Sequence, residues 1–182
     1  MSTYDHSEIK PSEWVKRHAR IIKPQGSVLD VAAGNGRNAR WLAEQGFTIQ
    51  AVDRDEVALA SMQGVANITT HVADLENAPW PYVGLQFDAI IVCRYLFRPL
   101  FAQLMESLAS EGVLIYETFM QGHEALGRPK NPQFLLFPSE LLKVFVPPLH
   151  PVAFEQGFDS FQHAIVQRAC LVKTAKTHLV LT

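Results

Sequence analysis

Apolar residues follow two alternating patterns along the chain. Short runs of consecutive apolar residues are typical of strands buried on both faces, and apolar residues spaced three or four apart are typical of amphipathic helices. The runs predict strands at residues 27–32, 47–53, 67–74, 87–93 and 111–119. The helical spacing occurs at residues 12–22, 38–45, 55–64, 99–110 and 139–145. Strands and helices that alternate in this way predict a parallel sheet covered by helices on both faces.

The pattern changes after residue 119. Residues 120–137 are interrupted by glycine and proline and predict a long loop, and loops of this length in compact domains are commonly functional. Two more apolar runs, at 150–156 and 163–174, are close enough in sequence to form an antiparallel hairpin at the sheet edge. The sheet of a dinucleotide-binding domain normally continues in parallel, so the predicted ending differs from that class.

The composition indicates one ordinary globular domain. The 182 residues are 48% hydrophobic and 19% charged, without a repeat or a low-complexity tract. The N-terminal residues include acidic side chains and no apolar core, so no secretory signal is expected, and no apolar run is long enough to span a membrane. Cys93 and Cys170 lie in separate apolar runs, which predicts neither a disulfide framework nor a zinc site and favours a reducing cytoplasm.

The charge is nearly balanced, and the net value of −2 provides no general attraction to nucleic acid or to anionic lipid. One local exception lies between residues 10 and 23, where five basic residues accompany a single acid, Glu13. We interpret this segment as the solvated face of an amphipathic helix that begins after Ser12, with Trp14 and Val15 facing inward. The alternative is a contact surface for RNA or protein.

Three carboxylates follow the first three predicted strands. Asp30, Asp53 and Asp74 stand at or next to the strand ends, each separated from the next by about one strand and helix. Because the carboxyl ends of parallel strands meet at one edge of the sheet, these side chains are expected to surround one ligand crevice. Gly34 and Gly36 lie between the first two acids and allow a ligand to approach the backbone closely.

These residues are compatible with two cofactors. The stretch from Gly34 to Ala39 fits the G-x-G-x-x-[GA] fingerprint of NAD-binding proteins, and Asp53 follows Gly34 by 19 residues, as that fingerprint requires. Asp30 argues against NAD, because a carboxylate just before the glycines repels a diphosphate but attracts a cationic amino group or a sulfonium. Asp53 suits ribose hydroxyls and Asp74 suits an adenine amino group. Together these groups make up S-adenosylmethionine, although each acid taken alone can be a helix cap or a turn residue.

The stretch VLDVAAGNGRNARWLA, which contains these glycines, resembles the first motif of class I S-adenosylmethionine-dependent methyltransferases, D-x-G-x-G-x-G. Asp30 takes the acidic place of the motif. Gly34 and Gly36 correspond to its second and third glycines. Ala32 stands in the place of the first glycine.

Within this class, the stretch GNGRNARWLAEQGFTIQAVDRD is most similar to the small tellurite-resistance and thiopurine-type methyltransferases. The resemblance spans almost the whole chain. It implies an α/β fold, a three-layer Rossmann-like sandwich around a seven-stranded, mostly parallel sheet whose last strand is antiparallel. It also implies a single domain over residues 1–182, with an N-terminal helical segment at 1–25 and a substrate-side loop at 120–137.

The same resemblance implies which residues contact the cofactor. The expected cofactor-binding residues are Asp30, Ala32, Gly34, Gly36, Asn38, Asp53, Arg54, Asp74, Leu75 and Cys93. No metal is expected, because the seven histidines show no ligand spacing.

The expected chemistry is methyl transfer, in which the sulfonium methyl group is already electrophilic and the protein has to align donor and acceptor. A soft nucleophile, such as a thiol, selenium or tellurium species, needs no strong base, whereas an amine or hydroxyl does. Arg94 and Tyr95, which follow the fourth strand, and Glu117 in the next strand are the candidate catalytic residues. Arg98, His123 and Arg128 are further candidates on the acceptor side, and His123 is expected to be solvated.

The sequence therefore predicts a cytoplasmic methyltransferase that transfers the methyl group of S-adenosylmethionine to a small-molecule acceptor, as a monomer or a homodimer. S-adenosylhomocysteine is the expected product. Neither a membrane nor a nucleic acid is an expected partner. Three alternatives stay open: an RNA or protein methyltransferase that uses the basic N-terminal helix, an NAD-dependent oxidoreductase, and a protein that binds S-adenosylmethionine without catalysis.

Overall fold

One seven-stranded sheet forms the centre of the computed structural model, which describes residues 10–175. Residues 1–9, where no secretory signal is expected, and residues 176–182 lie outside the described part of the chain. The strands are β1 (Ser27–Val31), β2 (Thr48–Asp53), β3 (Ile68–Val72), β4 (Phe87–Cys93), β5 (Leu108–Phe119), β6 (His150–Asp159) and β7 (Ala164–Val172).

The strand order is β3-β2-β1-β4-β5-β7-β6. Strands β1 to β5 pair in parallel, whereas β7 lies antiparallel between β5 and β6. The hairpin of β6 and β7 closes one edge of the sheet. The predicted sheet, mostly parallel with an antiparallel last strand, is therefore confirmed.

Helices cover both faces of this sheet. Within residues 10–175 the α-helices are α1 (Glu13–His18), α2 (Arg37–Glu44), α3 (Glu56–Ala60), α4 (Phe101–Glu106) and α5 (Glu140–Phe145). One buried cluster joins α1, α2 and α3 to one face, and a second cluster joins α4 and α5 to the other. The predicted three layers are confirmed. None of the helices in this range has the length and apolar character that a bilayer crossing requires.

Strand β4 explains why the sheet has two cores. Its side chains alternate between the two faces, so Ile90 and Val92 join the cluster under α4 and α5, and Ala89 and Ile91 join the cluster under α1 to α3. All four are apolar and almost fully buried, because a central parallel strand is covered on both sides.

Helix α1 packs as its sequence pattern predicts. Ser12 caps it by accepting the backbone N–H groups of Trp14 and Val15, and both of these side chains are buried. The Trp14 indole Nε1–H donates to the backbone oxygen of Ala169 in β7 at 3.3 Å. The basic side chains face outward, and Arg17 pairs with a glutamate of β6 at 3.0 Å. The interpretation of this segment as a solvated amphipathic face is confirmed.

Two helix predictions are wrong in their extent. The helix predicted at 99–110 ends at Glu106, and Leu108 already pairs with Phe87 as the first residue of β5. Leu108 continues the helical spacing of leucines, but its full burial comes from the sheet, because tertiary pairing outweighs local spacing. The helix predicted at 55–64 is regular only over α3, and turns carry the chain from there to Gly64.

Candidate functional site

The site lies where the order of the strands reverses. Strand β2 lies on one side of β1 and β4 lies on the other side. This reversal opens a crevice outside the carboxyl ends of these strands. Three cavities open along this edge. We name them the Asp53 cavity, the Thr118 cavity and the Glu117 cavity, after one residue that lines each.

The three cavities adjoin one another. The Asp53 cavity has a volume of about 420 Å³ and is lined by Ala32, Asp53, Arg54, Ala73, Asp74, Leu75, Glu76, Tyr95 and Phe134. The Thr118 cavity has a volume of about 180 Å³ and is lined by Glu76, Arg94, Tyr95, Leu96, Thr118, Phe119, Pro129 and Phe134. The Glu117 cavity has a volume of about 710 Å³ and is lined by Lys10, Pro11, Ser12, Glu13, Trp14, Arg17, Arg37, Arg94, Glu117, Asp159, Phe161, Gln162 and Arg168. Shared residues make them a row, with the Thr118 cavity in the middle.

Ala32 brings the glycine loop between β1 and α2 to the wall of the Asp53 cavity. Ala32, Gly34 and Gly36 all have left-handed backbone conformations, with φ of +54°, +56° and +78°. A Cβ at Gly36 would overlap the side chain of Met62, so only glycine fits there. Ala32 keeps the left-handed turn although it has a Cβ, which is unfavourable for an L-residue. The substitution of the first motif glycine therefore leaves the turn in place and adds backbone strain.

Asp53 connects this loop to the Asp53 cavity. Its Oδ2 accepts the backbone N–H of Gly34 at 2.8 Å, and its Oδ1 accepts that of Asp55 at 2.9 Å. Each carboxylate oxygen has a further lone pair that can accept another donor. These two bonds fix the carboxylate on the wall of the Asp53 cavity.

Asp30 is buried at the end of β1, just before the loop, and lines none of the three cavities. The side chain is only 2% exposed, and it accepts the backbone N–H of Ala39 in the first turn of α2. Its Oδ2 has no hydrogen-bond partner among the described residues. Burial raises the pKa of this carboxyl group to about 7, and the nearby Arg37 limits the rise.

Asp74 combines a turn role with a place on the cavity wall. Its Oδ1 accepts the backbone N–H groups of Glu76 and Asn77 at 3.0 and 3.1 Å, and its Oδ2 accepts the Asn77 side-chain amide at 2.9 Å. The hydrogen bond from the Asn77 amide is the main reason that the pKa of Asp74 lies below its usual range. Asp74 therefore stays ionised where it lines the Asp53 cavity.

Arg94 and Tyr95 lie at the junctions between the cavities. Arg94 lines both the Thr118 and Glu117 cavities and has a left-handed φ of +56°, a strained conformation for arginine. Its backbone N–H donates to the backbone oxygen of Glu117 at 2.8 Å. Tyr95 lines the Asp53 and Thr118 cavities. Burial, assisted by the neighbouring carboxylate of Glu76, raises the pKa of its hydroxyl.

Glu117 is both paired and open to a cavity. Its side chain is 2% exposed, accepts the Ser12 hydroxyl at 3.1 Å and forms an ion pair with Arg168 at 3.3 Å. Arg168 also pairs with Asp159 at 2.9 Å. These partners offset the cost of burying the carboxylate on β5 and tie it to the start of α1.

Of the remaining predicted cofactor residues, Arg54 and Leu75 line the Asp53 cavity, whereas Asn38 and Cys93 line none of the three cavities. The Asn38 side chain is buried, and its Oδ1 accepts the backbone N–H of Ser12 at 2.9 Å. Burial raises the pKa of the Cys93 thiol, so the thiol is neutral and unreactive. No cluster of His, Cys, Asp or Glu able to hold a metal occurs among residues 10–175.

The structure adds cavity residues that no motif indicates. Ala73, Glu76 and Phe134 line the Asp53 cavity, and Phe134 comes from the loop predicted on the substrate side. The expectation of a solvated His123 is wrong. Its Nδ1 accepts the backbone N–H of Ile165 at 3.2 Å, so its Nε2–H donates to the backbone oxygen of Arg128 at 2.9 Å. These bonds bury the ring and hold the loop against β7, a contact that local sequence does not encode.

The class of protein follows from the fold, the site and the sequence together. Residues 28–112 match a family described as a methyltransferase domain. This region includes β1 to β4 and the glycine loop, and the strand order is that of the class I fold. Residues 28–112 are therefore similar to a methyltransferase domain, and the sheet has the strand order expected for the class I fold, which agrees with the resemblance seen in the sequence.

Two solved structures and one curated protein are similar to this chain. The structure of TehB from Haemophilus influenzae aligns with a TM-score of 0.68 and 19% identity over 88% of this chain and 61% of TehB. A TehB-like SAM-dependent methyltransferase from Corynebacterium glutamicum aligns with a TM-score of 0.63 and 19% identity over 88% of this chain and 86% of its own. YqeM of Bacillus subtilis, named as a candidate methyltransferase, is 27% identical over 64% of this chain. The chain spans about half, 52%, of the length of that curated relative.

The raised pKa of Asp30 predicts a stability that depends on pH. Below about pH 4 the carboxyl group is neutral in both the folded and unfolded states, and as pH rises toward 7 the unfolded state ionises first, so folding loses stability. Asp30→Asn is expected to raise the free energy of unfolding at pH 8 by ~2 kcal/mol, with a smaller gain at pH 5. Denaturant unfolding at pH 8 and at pH 5 measures the free energy of unfolding in each condition. The exposed Glu44→Gln is the control, and an equal effect of Asp30→Asn at both pH values would contradict the assignment.

The strain at Ala32 predicts a stabilising glycine. Ala32→Gly removes the Cβ from a left-handed residue and is expected to raise the free energy of unfolding by ~1 kcal/mol. Ala33→Gly is the matched control, because Ala33 is not left-handed and its replacement is expected to cost ~0.5–1 kcal/mol. Thermal unfolding of both variants decides the question, and a destabilised Ala32→Gly protein would show that the turn is not strained.

Proposed function

We propose that the protein transfers the methyl group of S-adenosylmethionine to a small-molecule acceptor and releases S-adenosylhomocysteine. The observation that carries the proposal is the charge of the Asp53 cavity. Three carboxylates, Asp53, Asp74 and Glu76, line it against one guanidinium, that of Arg54. A negative wall disfavours the diphosphate of NAD and suits a neutral adenosine joined to a cationic sulfonium.

The residues present fit the parts of this cofactor. Asp53 offers carboxylate oxygens to the ribose hydroxyls, and Leu75 and Phe134 offer apolar surface to the adenine ring. The glycine loop keeps the backbone near Ala32 free of bulky side chains. The C. glutamicum neighbour is described as SAM-dependent, which supports the same cofactor for this chain.

Arg94 and Tyr95 are the proposed acceptor-side residues. The bound cofactor supplies an electrophilic methyl group, so the protein has to align the acceptor and exclude water. Tyr95 is neutral because its pKa is raised, and it donates a hydrogen bond more readily than it accepts a proton. The positive charge of Arg94 stabilises an anionic acceptor, and this favours a soft nucleophile such as a thiolate or a selenium or tellurium species. Glu117, which lines the Glu117 cavity together with Arg94, is the third proposed acceptor-side residue.

The cytoplasm is the proposed compartment, because Cys93 and Cys170 are both free thiols.

Calorimetric titration with S-adenosylhomocysteine tests the cofactor assignment. The wild-type protein is expected to bind it and not to bind NAD. Asp53→Ala removes two charge-assisted acceptors and is expected to weaken binding ~100-fold. Asp53→Asn retains an acceptor for Gly34 and is expected to weaken binding only ~10-fold. The exposed Glu56→Ala, three residues away, is the control. Tight binding of NAD, or no effect of Asp53→Ala, would overturn the assignment.

Arg94 variants test the acceptor class. Product formation is measured with thiols, selenium and tellurium oxyanions, phenols and amines as acceptors. With a thiol, Arg94→Ala is expected to lower kcat/KM ~100-fold and Arg94→Lys only ~10-fold, because lysine keeps the charge. Affinity for S-adenosylhomocysteine is expected to change less than ~2-fold, because Arg94 does not line the Asp53 cavity. Turnover with amines alone would contradict the soft-nucleophile proposal, and binding without any turnover would favour a non-catalytic protein.

A further inference from the structure

Phe134 occupies a special position in the loop at 120–137. Of the residues in this fully described loop, it alone lines the Asp53 cavity, and it also lines the Thr118 cavity. Its side chain is 44% exposed and has no deep packing of its own. The neighbouring Leu135 and Leu136 are buried and attach the segment to the core. The place of the Phe134 ring therefore depends on how the backbone on either side is held.

Arg98 holds that backbone on both sides of Phe134. Its Nη1–H donates to the backbone oxygen of Gln133 at 2.8 Å, and its Nη2–H donates to that of Leu135 at 2.9 Å. Its guanidinium also lies over the ring of Phe137, 5.2 Å from the centroid. One side chain thus binds the carbonyl groups immediately before and after the cavity residue.

Glu140 in turn holds Arg98. The two side chains form a bidentate pair, with Nε to Oε1 at 2.6 Å and Nη2 to Oε2 at 2.9 Å. Glu140 is 8% exposed and also accepts the backbone N–H of Phe137 at 2.7 Å. The planar guanidinium offers donors in several directions at once, whereas lysine offers a single point charge. The arrangement therefore requires arginine and not only a positive charge.

The connection between β4 and α4, which carries Arg98, also contributes a residue to the same two cavities. Arg98 begins a 3-10 helix, Arg98–Leu100, three residues after Tyr95. Tyr95 and Phe134 both line the Asp53 and Thr118 cavities. The β4 to α4 connection thus contributes Tyr95 directly and controls Phe134 through Arg98.

We propose that Arg98 and Glu140 are positioning residues that fix Phe134 at the boundary between the cofactor and the acceptor, an inference that rests on the proposed function. Neither Arg98 nor Glu140 lines any of the three cavities, so Arg98, an acceptor-side candidate in the sequence, acts here through Phe134. Their pairing orders the backbone of 133–135 before a ligand arrives, so binding does not have to order it. Phe134 then offers one face to the Asp53 cavity, where the adenosine is proposed to bind, and limits the size of the Thr118 cavity.

A double-mutant cycle tests the proposal with S-adenosylhomocysteine as the titrated ligand. Arg98→Lys and Phe134→Ala are each expected to weaken binding ~10-fold, and the double variant is expected to bind within ~2-fold of Phe134→Ala. Glu140→Gln is expected to behave like Arg98→Lys. Arg20→Lys, on an exposed arginine far from the loop, is the control. Unchanged binding by Arg98→Lys, or additive losses in the double variant, would overturn the role of Phe134.

Amide hydrogen exchange without ligand separates this inference from the proposed function. Arg98→Lys is expected to speed exchange ~10-fold at residues 133–137 and to leave the strands of the sheet unchanged. If the wild-type protein does not bind S-adenosylhomocysteine, the proposed function fails and the exchange result still decides whether Arg98 holds the loop. If exchange in the loop is the same in both proteins, the positioning role is wrong even when the cofactor binds.

Discussion

The Asp53 carboxylate accepts the backbone N–H of Gly34 at 2.8 Å, and this bond joins the two segments from which the site is built. One segment is the end of β2, and the other is the glycine loop that follows β1. The backbone N–H of Ala33 in the same loop also donates to the backbone oxygen of Val52 in β2 at 3.0 Å, so two bonds tie the loop to this strand. The same carboxylate faces the cavity, so one side chain both sets the shape of the loop and supplies charge to a ligand.

Two other carboxylates near the site are buried in different ways. Glu117 is paired with Arg168 and Ser12, and the pairing also anchors the beginning of α1. Among residues 10–175, Asp30 forms no ion pair and its Oδ2 has no hydrogen-bond partner, and its pKa rises to about 7. A paired buried charge contributes to the fold, whereas an unpaired one reduces stability at neutral pH.

Much of the architecture could be predicted because it depends on local patterns. The apolar runs of β1 and β4 and the spacing in α2 are visible in the sequence, and the glycine loop between them is defined by its motif. The end of α4 could not be predicted, because the leucine spacing of a helix continues into a residue, Leu108, that the sheet buries. The burial of His123 could not be predicted either, because its partner Ile165 lies 42 residues away.

The sequence by itself determined the alternation of strands and helices, the acids at the strand ends and the glycine motif, because each depends on spacing within one segment. Only the tertiary structure decided that Ala32 keeps a left-handed turn, that Asp30 is buried and lines none of the three cavities, and how Phe134 is held. The physical reason is distance along the chain. Arg98 and Glu140 are 42 residues apart, and a hydrogen bond between them exists only after the sheet has brought β4 and α5 together.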